Sequence, residues 1–313
     1  KAVIALSAEE IAEKMAASRR VRSIQYNRLV QPVWEGQVHP FEAMPMTKAQ
    51  DPEQSGMFND EYASYQWNLY NDGSIDENAV PGADVGVKDA WRLTGGDPSV
   101  VVAVFDCAVN TMHDDLKDAL WVNEPELNGT TGADDDGNGF IDDIYGFNFV
   151  QNGRITWTRN GDSGHGTHVA GTVAAVNNNI GVAGVAGGSG KGDGVRIMGC
   201  QVFDGAFAAS DRDMSNAFIY AADNGACIAQ CSYAYDPRSF DSDNAYINHT
   251  SIEYNAIKYF VNPENCNHSA IGQNLAIFAS GNEYAAQSSF PAAYSKCISV
   301  AALAADYTPA SYS

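Results

Sequence analysis

Val100-Val-Val-Ala-Val-Phe105, six apolar residues without a break and followed at once by Asp106, constrains the fold more than any other stretch of this chain. A strand with one wet face alternates polar and apolar residues. An unbroken apolar run belongs to a strand covered on both faces, as in a parallel sheet. Val195–Phe203, Ala226–Cys231, Leu275–Ala279 and Cys297–Ala302 are further, mostly apolar strand-like segments. Between them, His165–Val176 and Ser215–Asn224 read as helices, the second stopped by Gly225 where a left-handed residue closes a helix. This alternation predicts an α/β fold with a doubly wound, mainly parallel sheet and helices on both faces. Ligands of such sheets bind outside the carboxyl ends of the strands. Asp106, Ser232 and Asn282 stand at those ends.

Residues 1–58 read differently and are expected to form an N-terminal extension to a domain spanning 59–313. Ser7-Ala-Glu-Glu10 is a capping box that opens a short helix through Ser18. The following stretch, rich in Pro, Met, Gln and charged residues, holds no sustained period. A pro-segment remnant, an arm packed on the main domain and a plain surface extension all fit it. Eighteen basic against 39 acidic residues give a net charge of −21, which excludes nucleic acid as a partner because a phosphate backbone would be repelled. No apolar run approaches the ~18 residues of a membrane-spanning helix. The chain begins at Lys1, which reads as a processed or recombinant start. The six cysteines (Cys107, Cys200, Cys227, Cys231, Cys266, Cys297) follow no metal-binding spacing, and most lie in apolar runs.

Three segments carry chemistry. An ionised Asp106 at the end of a buried strand needs a partner for its charge. Gly164-His165-Gly166-Thr167-His168-Val169-Ala170-Gly171 opens a helix, and the glycines around His165 allow another backbone to come close. A carboxylate that orients an imidazole prepares a general base. Ala279-Ser280-Gly281-Asn282-Glu283 puts an amide side chain on a turn after a strand. Such an amide can donate to a developing oxyanion, a contribution on the order of 3 kcal/mol.

Together these segments resemble the subtilisin-like serine peptidases. Gly164–Gly171 matches that family's histidine signature nearly letter for letter. Asp106–Leu116 resembles its aspartate motif, with His113, Asp115 and Leu116 in the expected places. The likeness runs from about Tyr62 through Gln66-Trp67-Asn68-Leu69 to the last residue. It implies that His165 is the general base, Asp106 its orienter, Asn282 the oxyanion donor and His168 a buried structural histidine. It also implies that Ser232, Tyr233, Ala234 and Tyr235 form one wall of a cleft for a polypeptide substrate. The family is largely secreted, so a secreted, cell-surface or periplasmic location is expected.

Two departures open a rival reading. Cys107 and Ala108 replace the family's hydroxyl residue and glycine, and Tyr233-Ala234-Tyr235 replaces an apolar residue and two glycines. The tyrosines are expected to narrow or reshape the groove, which favours a pseudopeptidase serving as a peptide-binding or assembly module. The nucleophile motif, of the type Gly-Thr-Ser-Met-Ala, is absent from residues 1–313, and Thr308–Ser313 resembles a segment upstream of it. The chain alone is therefore expected to be inactive, with the serine on a further C-terminal segment or a cleaved fragment of the same gene product.

A further motif stands apart. Ala133-Asp-Asp-Asp-Gly-Asn-Gly-Phe-Ile-Asp-Asp143 spaces Asp134, Asp136, Asn138 and Asp142 around a glycine. Hard oxygen ligands so spaced suit Ca²⁺, although Tyr145 stands where an EF-hand carries its closing Glu. A structural calcium ion held by these four residues is the expectation, with a plain acidic surface loop as the alternative.

Overall fold

The computed structural model describes residues 59–158, 164–204, 210–266 and 272–313, together with the backbone of 31–32 and 207–208. The helix expected over Ser7–Ser18 lies outside the described residues.

Six parallel strands form the central sheet. They are β2 (Val101–Asp106), β3 (Gly146–Asn148), β4 (Arg196–Gln201), β7 (Ile228–Cys231), β9 (Leu275–Ala279) and β10 (Ile298–Val300), in the order β10-β9-β7-β2-β4-β3. Every residue of β2 is buried, as the unbroken run requires. Its side chains alternate between two cores. Val101, Ala103 and Phe105 face one with Phe218, Phe260 and Phe278, whereas Val102 and Val104 face the other with Ile197, Ala170 and Ala174. Phe105 stacks on Phe218 with ring centroids 4.4 Å apart.

Four short elements leave this sheet. They are β1 (Gln31–Pro32) and β8 (Tyr233–Ala234), which pair with each other, and β5 (Phe203–Asp204) and β6 (Phe207–Ala208), which do likewise. The described helices are α1 (Val87–Ala90), α2 (Glu124–Asn128), α3 (His165–Ala174), α4 (Asp211–Asp223), α5 (Asp243–His249) and α6 (Ser251–Phe260). Helix α3 covers one sheet face, and α4 and α6 cover the other. The doubly wound architecture is the one the alternation predicts.

Several details differ from the sequence expectation. Helix α4 starts at Asp211, four residues early, because Ser210 and Asp213 cap it reciprocally with an Asp in the place usually held by Glu or Gln. Helices α5 and α6 were not anticipated. The last strand is shorter than Cys297–Ala302, and its apolar residues are not covered: Ile298 is 44% and Val300 53% exposed. As an edge strand, β10 has a sheet partner on one side only, β9.

Candidate active site

Register brings three strand ends level. Phe105 on β2 pairs with Cys231 on β7, and Cys231 pairs with Phe278 on β9. All three strands run in the same direction, so Asp106, Ser232 and the turn Ser280–Asn282 leave the sheet at one edge. Helix α3 starts there too.

Asp106 is fully buried, and both its oxygens meet the His165 ring, with Nδ1 at 2.7 Å from Oδ1 and 2.9 Å from Oδ2. The Cys107 amide also donates to Oδ1, at 2.8 Å. These donors stabilise the carboxylate in place of the water lost on burial. A ring that donates through Nδ1 keeps its proton there, which leaves the basic lone pair on Nε2. The His165 side chain is 31% exposed, so it joins the buried acid to the surface.

The local backbone is built for this contact. Gly164 caps α3 at φ +75°, a left-handed conformation that suits glycine. Gly166 lies so close to the chain after β2 that an added Cβ would sit 2.3 Å from the Cys107 carbonyl oxygen. The Gly166 amide donates to Cys107 Sγ at 3.1 Å, and the Asn110 amide donates to Thr167 Oγ1 at 2.9 Å. The cysteine sulfur therefore acts as an acceptor that ties the helix start to the aspartate loop. Gly166→Ala is expected to force these segments apart and cost roughly 3 kcal/mol. A melting temperature equal to that of the parent would contradict this packing.

Asn282 lies in an exposed turn after β9, where Gly281 has φ +122° and the Asn282 amide donates to Glu283 Oε2 at 2.9 Å. Ser232 Oγ accepts from Gln230 Nε2 at 3.2 Å.

Two expectations need correction. The Tyr233 side chain lies in the core and does not line a groove. Tyr233 is buried, and both Tyr233 and Tyr235 send their hydroxyls to Glu253 behind the strand, at 3.2 and 3.0 Å. The backbone of Tyr233 and Ala234 lies on the edge, where β1 pairs antiparallel with β8, and Tyr235 is half-buried beside it. His168 is exposed rather than buried. The buried stripe of α3 is Gly166, Ala170 and Ala174, and His168 lies about 200° around the helix from Gly166.

The acidic loop gathers carboxylates, though not the expected set. Ligand oxygens of Glu126, Asp134 and Asp136 lie within 4.8 Å of one another. Glu126, on α2, is nearly fully buried and organises the loop, accepting from the amides of Asp135 at 2.6 Å and Asp142 at 2.8 Å. Asn138 joins through its side-chain amide, which donates to Asp136 and to the buried Asp143. Asp142 stands apart because its carboxylate is turned to the Gly132 amide and to Arg154, 3.1 Å away.

A second acidic place was missed altogether. Asp60 and Asp115 are both buried, and each grips the loop after α3. Asp60 accepts from the amides of Asn178 and Asn179, and Asp115 accepts from that of Val182. Among the described residues Asp60 Oδ2 and Asp115 Oδ1 have no hydrogen-bond partner. Burial pushes both carboxyls above the ordinary range. Cys107, Cys200, Cys227 and Cys231 are buried. Among the described residues no helix is long and apolar enough to cross a membrane.

A parallel α/β sheet with a buried Asp paired to a part-exposed His at its carboxyl edge defines the class of this protein, and comparison with known proteins defines the family. The profile of the Subtilase family matches residues 97–313. Subtilisin-like protease 1 of Plasmodium berghei is 30% identical over 264 residues, covering 82% of this chain and 39% of that protein. The Plasmodium falciparum protein of the same name is 33% identical over 217 residues, covering 67% and 28%. Among solved structures, fervidolysin from Fervidobacterium pennivorans superposes with a TM-score of 0.51 at 21% identity, over 89% of this chain and 32% of that one. The chain thus belongs to the Subtilase family of subtilisin-like serine peptidases, and it spans about two fifths or less of the length of these relatives.

Proposed function

We propose that this chain supplies the base and the peptide-binding edge of a serine endopeptidase that hydrolyses polypeptides through an acyl-enzyme. The contact between Asp106 and His165 carries the proposal. In it, His165 Nε2 takes the proton of a seryl hydroxyl as that oxygen attacks the scissile carbonyl, then returns it to the leaving amine. Asp106 holds the tautomer and stabilises the imidazolium. The Asn282 side chain donates to the oxyanion. The nucleophilic serine is assigned to sequence outside residues 1–313, on the same chain or on a cleaved fragment. On this reading residues 59–313 are the peptidase domain, and the protein acts outside the cell or at its surface.

The substrate is expected to pair with β8 in extended form through Ser232–Tyr235. The pairing of Gln31–Pro32 with this edge supports its capacity to take a strand. It also supports a second reading, a peptide-binding module without hydrolysis. Labelling by a fluorophosphonate separates the two. The longer gene product should label if it is a peptidase, and should stay unlabelled if it is a binding module.

Calcium completes the proposal. Glu126, Asp134 and Asp136, with Asn138 beside them, would hold Ca²⁺ in the acidic loop. An ion bound only by the folded state raises stability by about 3 kcal/mol at a hundredfold excess over its dissociation constant. The melting temperature should therefore rise from chelator to millimolar calcium, and Asp136→Ala should remove part of the rise. An unchanged melting temperature in the parent would end the calcium reading.

A further inference from the structure

β8 is two residues long and lies outside the central sheet. Its backbone is held by its pairing with β1 and, just beyond, by the Tyr235 amide donating to the Phe290 carbonyl at 2.8 Å. So short a strand depends on its side chains for a fixed position. Those side chains converge on one buried group. Glu253, on α6, has no exposed surface and accepts from three phenols, Tyr233 at 3.2 Å, Tyr235 at 3.0 Å and Tyr246 at 2.8 Å. Two of the three flank Ala234 on the edge, and the third belongs to α5.

We propose that Glu253 is a positioning residue for the peptide-accepting edge, and that as an anion it anchors β8 from behind through Tyr233 and Tyr235. The inference rests on the reading of β8 as the substrate edge. The anion accepts all three phenol protons. Protonation turns one carboxylate oxygen into a donor, so one phenol proton loses its acceptor. Tyr235 is the one with an alternative, because its hydroxyl lies 3.2 Å from Asp211 Oδ1. Above its pKa Glu253 therefore holds both flanks of the edge as an anion, whereas below it Tyr233 alone still donates to Glu253 and the Tyr235 flank is drawn toward Asp211 on α4.

The surroundings make Glu253 the group that titrates near neutrality. Burial pushes it up to about 7, and the charge of Asp211 on α4 adds to the rise. Facing it are Tyr233 and Tyr235 from the edge, Tyr246 from α5, Cys231 from β7 and Cys297 before β10. Burial pushes all five up, so they stay neutral. Among the described residues no Lys, Arg or His pairs with Glu253.

Amide hydrogen exchange on the 313-residue chain tests the inference without any need for peptidase activity. After correction for intrinsic rates, protection of the Tyr233–Tyr235 amides should rise about tenfold from about pH 6 to about pH 8. In Glu253→Gln the rise should be absent. Tyr235→Phe keeps the carboxylate but cuts one flank, and should lower protection several-fold at about pH 8 while sparing the amides of β2. A rise that survives in Glu253→Gln overturns the proposal, as does an unchanged edge in Tyr235→Phe. A longer gene product that neither labels nor hydrolyses would sink the peptidase reading alone, because the exchange step does not depend on it.

Discussion

His165→Ala is expected to reduce peptide hydrolysis by the longer gene product about 10⁶-fold and to abolish its fluorophosphonate labelling, because the attacking hydroxyl then has no base. Asp106→Asn should cost less, about 10⁴-fold. The amide is nearly isosteric and can still meet the ring, but its NH₂ favours the tautomer with the Nδ1 lone pair and a proton on Nε2, the nitrogen that must accept. The ordering of these losses is diagnostic of an imidazole oriented through Nδ1, the atom that touches both Asp106 oxygens. The 313-residue chain alone should not label. Labelling of that chain that vanishes in His165→Ala would place the nucleophile within residues 1–313. Equal activity of parent and His165→Ala in the longer product would remove the dyad from the chemistry.

The dyad was legible because each half is a local signal. Asp106 follows the most apolar run in the chain, and the glycines around His165 announce a close approach that the Cys107 carbonyl makes real. The sheet was legible for the same reason, since burial on both faces erases alternation. What escaped the sequence depends on residues far apart. Glu126 lies upstream of the acidic loop on a short helix, and only the fold turns it onto the amides of Asp135 and Asp142. Asp60 and Asp115 are 55 positions apart by number and meet through a loop that both of them cap. The inward direction of Tyr233 is not legible locally, because its acceptor, Glu253, belongs to a helix that the apolar pattern does not reveal. The first helical turn of α6 hides a buried acid at a position that reads as surface. A carboxylate in a core is normally a fault, and three phenols make it acceptable here.

The same buried acid sets a stability change with pH of predictable sign. Glu253 rises from its ordinary 4.5 to about 7 in the folded chain. Between those values the folded state binds a proton that the unfolded state has already released, so stability must fall as pH rises through this window. Its contribution is complete below about pH 4.5 and lost above about pH 7. The difference of about 2.5 units corresponds to on the order of 3 kcal/mol, or roughly 6–12 °C in melting temperature for a chain of this size. Asp60, Asp115 and Asp143 are raised by burial too and tilt the parent in the same direction. The difference between parent and Glu253→Gln isolates Glu253, because the amide keeps the volume and does not titrate. The variant should therefore gain stability relative to the parent as pH rises from about 5 to about 8, with chelator present at both ends to hold calcium out of the comparison. Parallel stability curves for parent and variant would show that Glu253 does not change its proton count in this range. The expected result has a physical consequence for the edge strand. Above neutral pH the fold as a whole is expected to weaken while β8 tightens, so the charge that costs the core stability would be the charge that fixes β8 through Tyr233 and Tyr235.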